Sequence, residues 1–161
     1  YPFITIKCFI KGGGYEPAGI KFYNGLFTKA DILSSTDILF SVTDLTRAGD
    51  IVGSPLKVPD FGAGRKALAS MDCMRISPDQ ELCDKGFLYH RMMLSDIRRQ
   101  MVANSAGSTV LHLDTKKVPK MKIKKNGFPL TPITPSSPTT TPLKKSGNGS
   151  LGSRRSSMGS N

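Results

Sequence analysis

Along the first 80 positions, apolar residues recur with the spacing of short strands, broken by glycine, proline and serine. In residues 3 to 10, Ile4, Ile6, Cys8 and Ile10 alternate with the polar Thr5 and Lys7, the period of a half-buried strand. Gly12, Gly13 and Gly14 end it. The segment through Tyr15, Pro17, Gly19, Lys21, Tyr23 and Asn24 mixes turn formers with aromatic and basic side chains, which predicts an exposed loop. Thr28 can cap a short helix through Leu33. Residues 37 to 42 (DILFSV) form a compact apolar run and predict a strand, followed by a turn containing Thr43, Asp44, Arg47 and Gly49. A second strand is expected from Ile51 to Val58, and Pro55 confines it to an edge or an irregular position. After a loop with Pro59, Gly62 and Gly64, residues 67 to 76 (ALASMDCMRI) predict another buried strand, stopped by Ser77 and Pro78.

The period then changes. Asp84 can cap a helix in which Phe87, Leu94, Ile97 and Met101 fall on one stripe, so a single amphipathic helix is expected over about 84–105. Arg91, Asp96, Arg99 and Gln100 occupy its other side, Gly107 is placed to end it, and Met92, Met93 and Met101 read as core packing. Residues 108 to 113 and 118 to 123 predict two short extended pieces around Asp114, Lys116 and Lys117. From Lys124 to Asn161, 13 of 38 residues are Ser or Thr and 10 are Pro or Gly, with Phe128 the one aromatic. Such a stretch buries too little apolar surface to offset backbone ordering and is expected to be disordered. The elements describe an α+β domain over residues 1–123: a twisted, mainly antiparallel β-sheet, one main helix, and a tail over 124–161.

Charge narrows the partners. The chain carries 23 basic and 12 acidic residues, a net +11, which points to polyanions. All 12 acidic residues and 17 of the basic ones lie in residues 1–123, leaving that body at +5. This suits a domain that meets phosphates on one face. Cys8, Cys73 and Cys83 are odd in number and widely spaced, which signals neither a disulfide framework nor a zinc knuckle and favours the cytoplasm. No apolar run approaches the length of a membrane span, so no membrane partner is expected. Tyr1 stands inside an apolar run without an initiator Met, and a fragment of a longer protein is expected.

Enzyme readings find little support. KGGGYEP (Lys11 to Pro17) lacks the spacing of a dinucleotide fingerprint or a P-loop. His90 and His112 lie far apart, without carboxylates or thiols at metal-ligand spacing, and Asp44 with Asp50 forms no recognisable acid/base pair. Asp60 lacks the acidic and lysine cluster of a nuclease. The chain is therefore expected to be non-catalytic, with no cofactor of its own.

Three blocks, in order, carry a resemblance. The first is DILFSVTDLTRAGDIVGSPLKVP (Asp37 to Pro59), the second ALASMDCMRISP (Ala67 to Pro78). The third joins FLYHRMML and IRRQ to ANSAGSTVLHLDTKKVPKMKI, ending at Ile123. Together they resemble the target-recognition domain of the specificity subunit of type I restriction-modification systems. In that family the last helix of the domain is followed by a GSTV-like turn and a His-Leu pair, matched here by Gly107 to Val110 and by His112 with Leu113. At Lys124 the chain departs from the pattern, since a Pro-rich step and a long heptad-bearing helix are expected there; a domain truncated at both ends, with a replaced extension, is the expectation.

The resemblance implies sequence-specific binding of double-stranded DNA, in complex with methyltransferase and restriction subunits. S-adenosylmethionine, ATP and Mg would sit on those partner subunits. A general basic nucleic-acid protein of the RNA-binding kind is the alternative, although surface aromatics in a sheet motif such as Lys/Arg-Gly-Phe/Tyr, common in RNA readers, are not expected here. A DNA reader needs cations on phosphates and polar side chains at base edges. Lys11, Lys21, Lys29, Arg65, Lys66, Lys116 and Lys117 are the candidate phosphate contacts. Tyr15, Lys21, Tyr23, Asn24, Thr43 and Arg47 are the candidate base readers.

Overall fold

Ile38, Leu39 and Phe40 are apolar at consecutive positions because the strand they form is covered on both faces. In the computed structural model, which describes residues 1–125 and 128–130 apart from Ala63, Gln80 and Leu82, this strand lies at the middle of the molecule. In chain order the strands are β1 (Pro2–Ile4), β2 (Lys21–Phe22), β3 (Ile38–Ser41), β4 (Thr43–Asp44), β5 (Pro55–Lys57), β6 (Leu68–Ala69) and β7 (Cys73–Ile76). The helices α1 (Lys85–Met93) and α2 (Ser95–Ala103) follow, then β8 (Ser105–Ala106), β9 (Leu111–Leu113), β10 (Ile123–Lys125) and β11 (Phe128–Leu130). No described helix is long and apolar enough to cross a membrane.

The central sheet has the order β5-β3-β7 and is antiparallel throughout, with Leu39 opposite both Leu56 and Arg75. Pro55 opens β5 on the edge of this sheet, as a residue without an N–H requires. Alternation along the strands divides the core in two. Ile38, Phe40, Met74 and Ile76 pack with Leu88, Met92, Ile97 and Met101 of the helices. Leu39, Leu56 and Cys73 face the other way, against Ile4, Cys8, Phe9, Leu33, Ala67 and Ala69. The N-terminal layer over that second core is the sheet β2-β1-β6, in which β1 runs antiparallel to β2 and parallel to β6. A third sheet, β4-β9-β8, extends past the end of β3.

Several elements depart from expectation, each for a packing reason. The expected single helix breaks at Leu94, whose backbone is extended (φ −74°, ψ 149°) and whose side chain is exposed. Leu88 with Met92, and Ile97 with Met101, are i,i+4 pairs, but Met92 and Ile97 are i,i+5. On a continuous helix that interval would turn Ile97 about 140° away from Met92. The break resets the phase so that both pairs reach the core, and Arg91 ties the two helices through Asp96 at 2.8 Å. The strand expected over 3–10 stops at Ile4, because Ile6–Cys8 winds into a 3-10 turn capped by Thr5, which buries Cys8 and leaves Ile10 exposed. The strand expected over 67–76 divides at Ser70 into β6 and β7, which serve different sheets.

Residues 115–120 form a 3-10 helix, not an extended piece, and only Ile123 onward joins a strand. The short helix expected after Thr28 is a 3-10 turn over Lys29–Asp31. The mainly antiparallel α+β class agrees with the structure, though as several small sheets and not one. The disordered tail expected over 124–161 lies mostly outside the described residues. Within it, the backbones of β10 and β11 pair as an antiparallel ladder.

Cys8 and Cys73 are free, buried thiols in the second core. Burial raises both, pushing Cys73 up to about 12, so neither presents a thiolate near neutrality. Cys83 is only half-buried. An alkylating reagent at mildly alkaline pH is therefore expected to label Cys83 first, with Cys8 and Cys73 labelled only on unfolding, as mass mapping of the modified peptides would read.

Candidate nucleic-acid interface

The turn after β4 is closed by a buried carboxylate, Asp44, and a partly buried guanidinium, Arg98. Asp44, 1% exposed, accepts hydrogen bonds from the backbone N–H of Thr46 (2.8 Å), Ile51 and Val52 (3.0 Å) and from the Thr46 hydroxyl (2.8 Å). Burial disfavours its charge, but these four donors outweigh that and hold the carboxyl below its ordinary value. From α2, Arg98 donates to the carbonyls of Gly49 (3.2 Å), Asp50 (2.8 Å) and Val52. Burial lowers its guanidinium from the ordinary arginine value, an effect opposed by the nearby Asp44 and Asp50 charges. At the foot of the loop Gly53 adopts φ +71°, and a Cβ there would overlap the Met101 side chain.

The result is a loop fixed at both ends with an exposed tip. Leu45, Thr46, Arg47 and Ala48 are all exposed at the tip, with Leu45 60% exposed. Lys11 reaches the loop from the glycine turn and pairs with Asp50 at 2.6 Å. That glycine turn holds φ values of +83°, +127° and +121° at Gly12, Gly13 and Gly14, a geometry side chains resist, and Gly14 anchors it through its N–H to the Pro55 carbonyl.

The twelve candidate residues divide into two groups at the two ends of β3. Lys21, Tyr23, Asn24, Lys29, Arg65 and Lys66 gather around β2-β1-β6 and the start of β3, because Leu33 bridges to Ala67 and Val58 bonds to Asp37. Lys11, Thr43, Arg47, Lys116 and Lys117 belong with the loop and with the β4-β9 pair that follows β3. Tyr15 is half-buried against the second core, and burial raises its phenol. A single face holding all twelve is not formed.

Individual environments sort them further. Thr43 is 5% exposed, with its hydroxyl 3.5 Å from His112 Nδ1, so as a base reader it is corrected to a buried strand residue. Tyr23 stacks on Phe3 with ring centroids 5.3 Å apart, and its hydroxyl donates to the Leu26 carbonyl. Lys117 lies 3.7 Å from Asp114, so its charge and that of Lys11 are partly matched within the chain. Among the described residues, Lys21, Lys29, Arg47, Arg65, Lys66 and Lys116 form no ion pair. Several carboxylates are meanwhile engaged in local hydrogen bonds: Asp31, Asp84 and Asp114 cap helical turns and Asp60 closes a local turn. All six of those cations are exposed.

Among the described residues no group of three or more His, Cys, Asp or Glu side chains is placed to share a metal ion. His90 is exposed on α1 and packs edge-on against Tyr89. The tripeptide Lys85-Gly86-Phe87 spells the opening of a common RNA-reader motif, but it starts a helix and not a strand. No protein-family model matches the chain, and no curated protein sequence matches it.

Sequence reading places Asp44 in the turn without assigning it the fastening role, and misses Arg98 and the exposed Phe22. Asp44-Leu45-Thr46 carries a local signal, since an Asp two residues before an N–H it can accept from is the mark of an Asx turn. Arg98 carries none, because its three acceptors lie 46 to 49 residues earlier.

Proposed function

We propose that the chain is a DNA target-recognition domain of the type I specificity-subunit kind, which reads duplex DNA while partner subunits perform the chemistry. The observation that carries this reading is the clasped loop: an exposed tip whose Arg47 forms no ion pair among the described residues, held at its base by Asp44 and Arg98 before any ligand arrives. Specific base readout gains from such pre-organisation, because a mobile reader must be ordered at the moment of binding. Arg47 is the residue assigned to a base edge, where arginine's paired donors match guanine O6 and N7. Lys116 is assigned to phosphate, where any sequence serves equally. The methyl donor, ATP and Mg would belong to the methyltransferase and restriction partners.

A selection from random duplexes tests this. The chain should enrich one short motif. Arg47→Ala should then cost about 1–3 kcal/mol at one base pair of that motif, while Lys116→Ala should weaken all duplexes alike and reduce the salt dependence. Equal binding of every duplex, or a preference for RNA, overturns the proposal.

A further inference from the structure

At the end of the molecule away from the clasped loop, a recess of about 310 Å³ opens between Tyr1, Pro2, Phe22, Gly64, Arg65 and Lys66. Its size is at the small end of ligand cavities, about 300–1,000 Å³, so it suits one small planar group and not a large body. Two kinds of side chain meet there. Phe22 is 77% exposed on the edge strand β2, and the Tyr1 ring packs edge-on against Phe27 at 4.6 Å between ring centroids. Beside them Arg65 and Lys66, which follow Gly64, form no ion pair among the described residues. A Cβ at Gly64 would meet nothing within 4 Å, so that wall is open.

We propose that this recess binds one unstacked nucleotide of a single DNA strand, its base against Phe22 and its phosphate on Arg65 and Lys66. The pairing of an exposed ring with adjacent unneutralised cations is what separates this occupant from others. A duplex keeps its base faces stacked inside and offers phosphates and base edges but no π-face, which would use the cations and leave the ring idle. An acidic peptide would do the same. A single strand presents a π-face and a phosphate together, the combination on which sequence-tolerant strand binding rests. The inference does not depend on the duplex reading assigned to the clasped loop.

The test uses the full chain and a labelled oligo(dT) of about eight nucleotides, titrated beside a duplex of equal length. Phe22→Ala should weaken oligo(dT) binding about tenfold and leave duplex binding unchanged, and Phe22→Tyr should restore it. The paired change Arg65→Ala with Lys66→Ala should also weaken the oligomer and flatten its salt dependence. Because the Phe22 side chain lies outside both cores, its thermal midpoint should match the wild type, which separates lost binding from lost folding. Unchanged oligo(dT) affinity in Phe22→Ala overturns the proposal, as does an absence of oligo(dT) binding by the wild type. Strand binding that survives without any enriched duplex motif would overturn the function proposed above and leave this site standing; the reverse result would do the opposite.

Discussion

Asp44→Ala is expected to lower the free energy of unfolding by about 3–5 kcal/mol, the largest loss anticipated for any polar side chain of the domain. The substitution leaves the Ile51 and Val52 N–H groups without their acceptor, and the Val52 bond is buried. Each stranded donor costs about 1–3 kcal/mol, and Arg98 loses the nearby negative charge that favours its own ionised form. Chemical denaturation of both proteins would measure the difference, and a loss under about 1 kcal/mol would show that the loop finds other acceptors. The pH dependence has a definite sign. The folded carboxyl sits below its ordinary 3.8, so its contribution is fully present above that value and fades as pH falls through the lower folded one. Asp44→Asn should flatten that acid limb of the stability curve, since the amide does not titrate.

Arg98→Met should cost about 2–4 kcal/mol while leaving the aliphatic packing of α2 in place. Three main-chain carbonyls lose a charged donor at once. The same change should raise amide exchange over residues 45–52 more than over β3, because the loop is held by this contact and the strand by its two neighbours. Uniform acceleration across both segments would show instead that Arg98 supports the whole fold. Together, Asp44→Ala and Arg98→Met should fall short of additive, since both act on the same turn.

What the sequence could show divides by the range of the interaction. β3 was legible because burial on both faces leaves a continuous apolar run, and the edge position of β5 because Pro55 cannot donate to a ladder. The caps at Thr28 and Asp84 were legible for the same reason, since donor and acceptor lie three residues apart. The break at Leu94 was not. A stripe through Phe87, Leu94, Ile97 and Met101 satisfies helical spacing, and the competing set, Leu88, Met92, Ile97 and Met101, wins only because the central sheet determines which side chains are covered.

The candidate site follows the same division. Arg47, Arg65 and Lys66 were identified as residue types, yet their separation to opposite ends of β3 follows from pairings such as Phe3 with Leu68, which the local pattern does not encode. Thr43 looked like a loop residue because two residues are a short strand; its partner His112 is 69 residues away.

One property of the clasp reaches further. Apart from the Thr46 hydroxyl, every atom that Asp44 and Arg98 hold is a main-chain N–H or carbonyl. The fastening is therefore indifferent to which side chains ride on positions 45, 47 and 48. Those three sites could be rewritten together, as a cartridge is exchanged in a fixed holder, and the chamber that receives the cartridge would keep its shape.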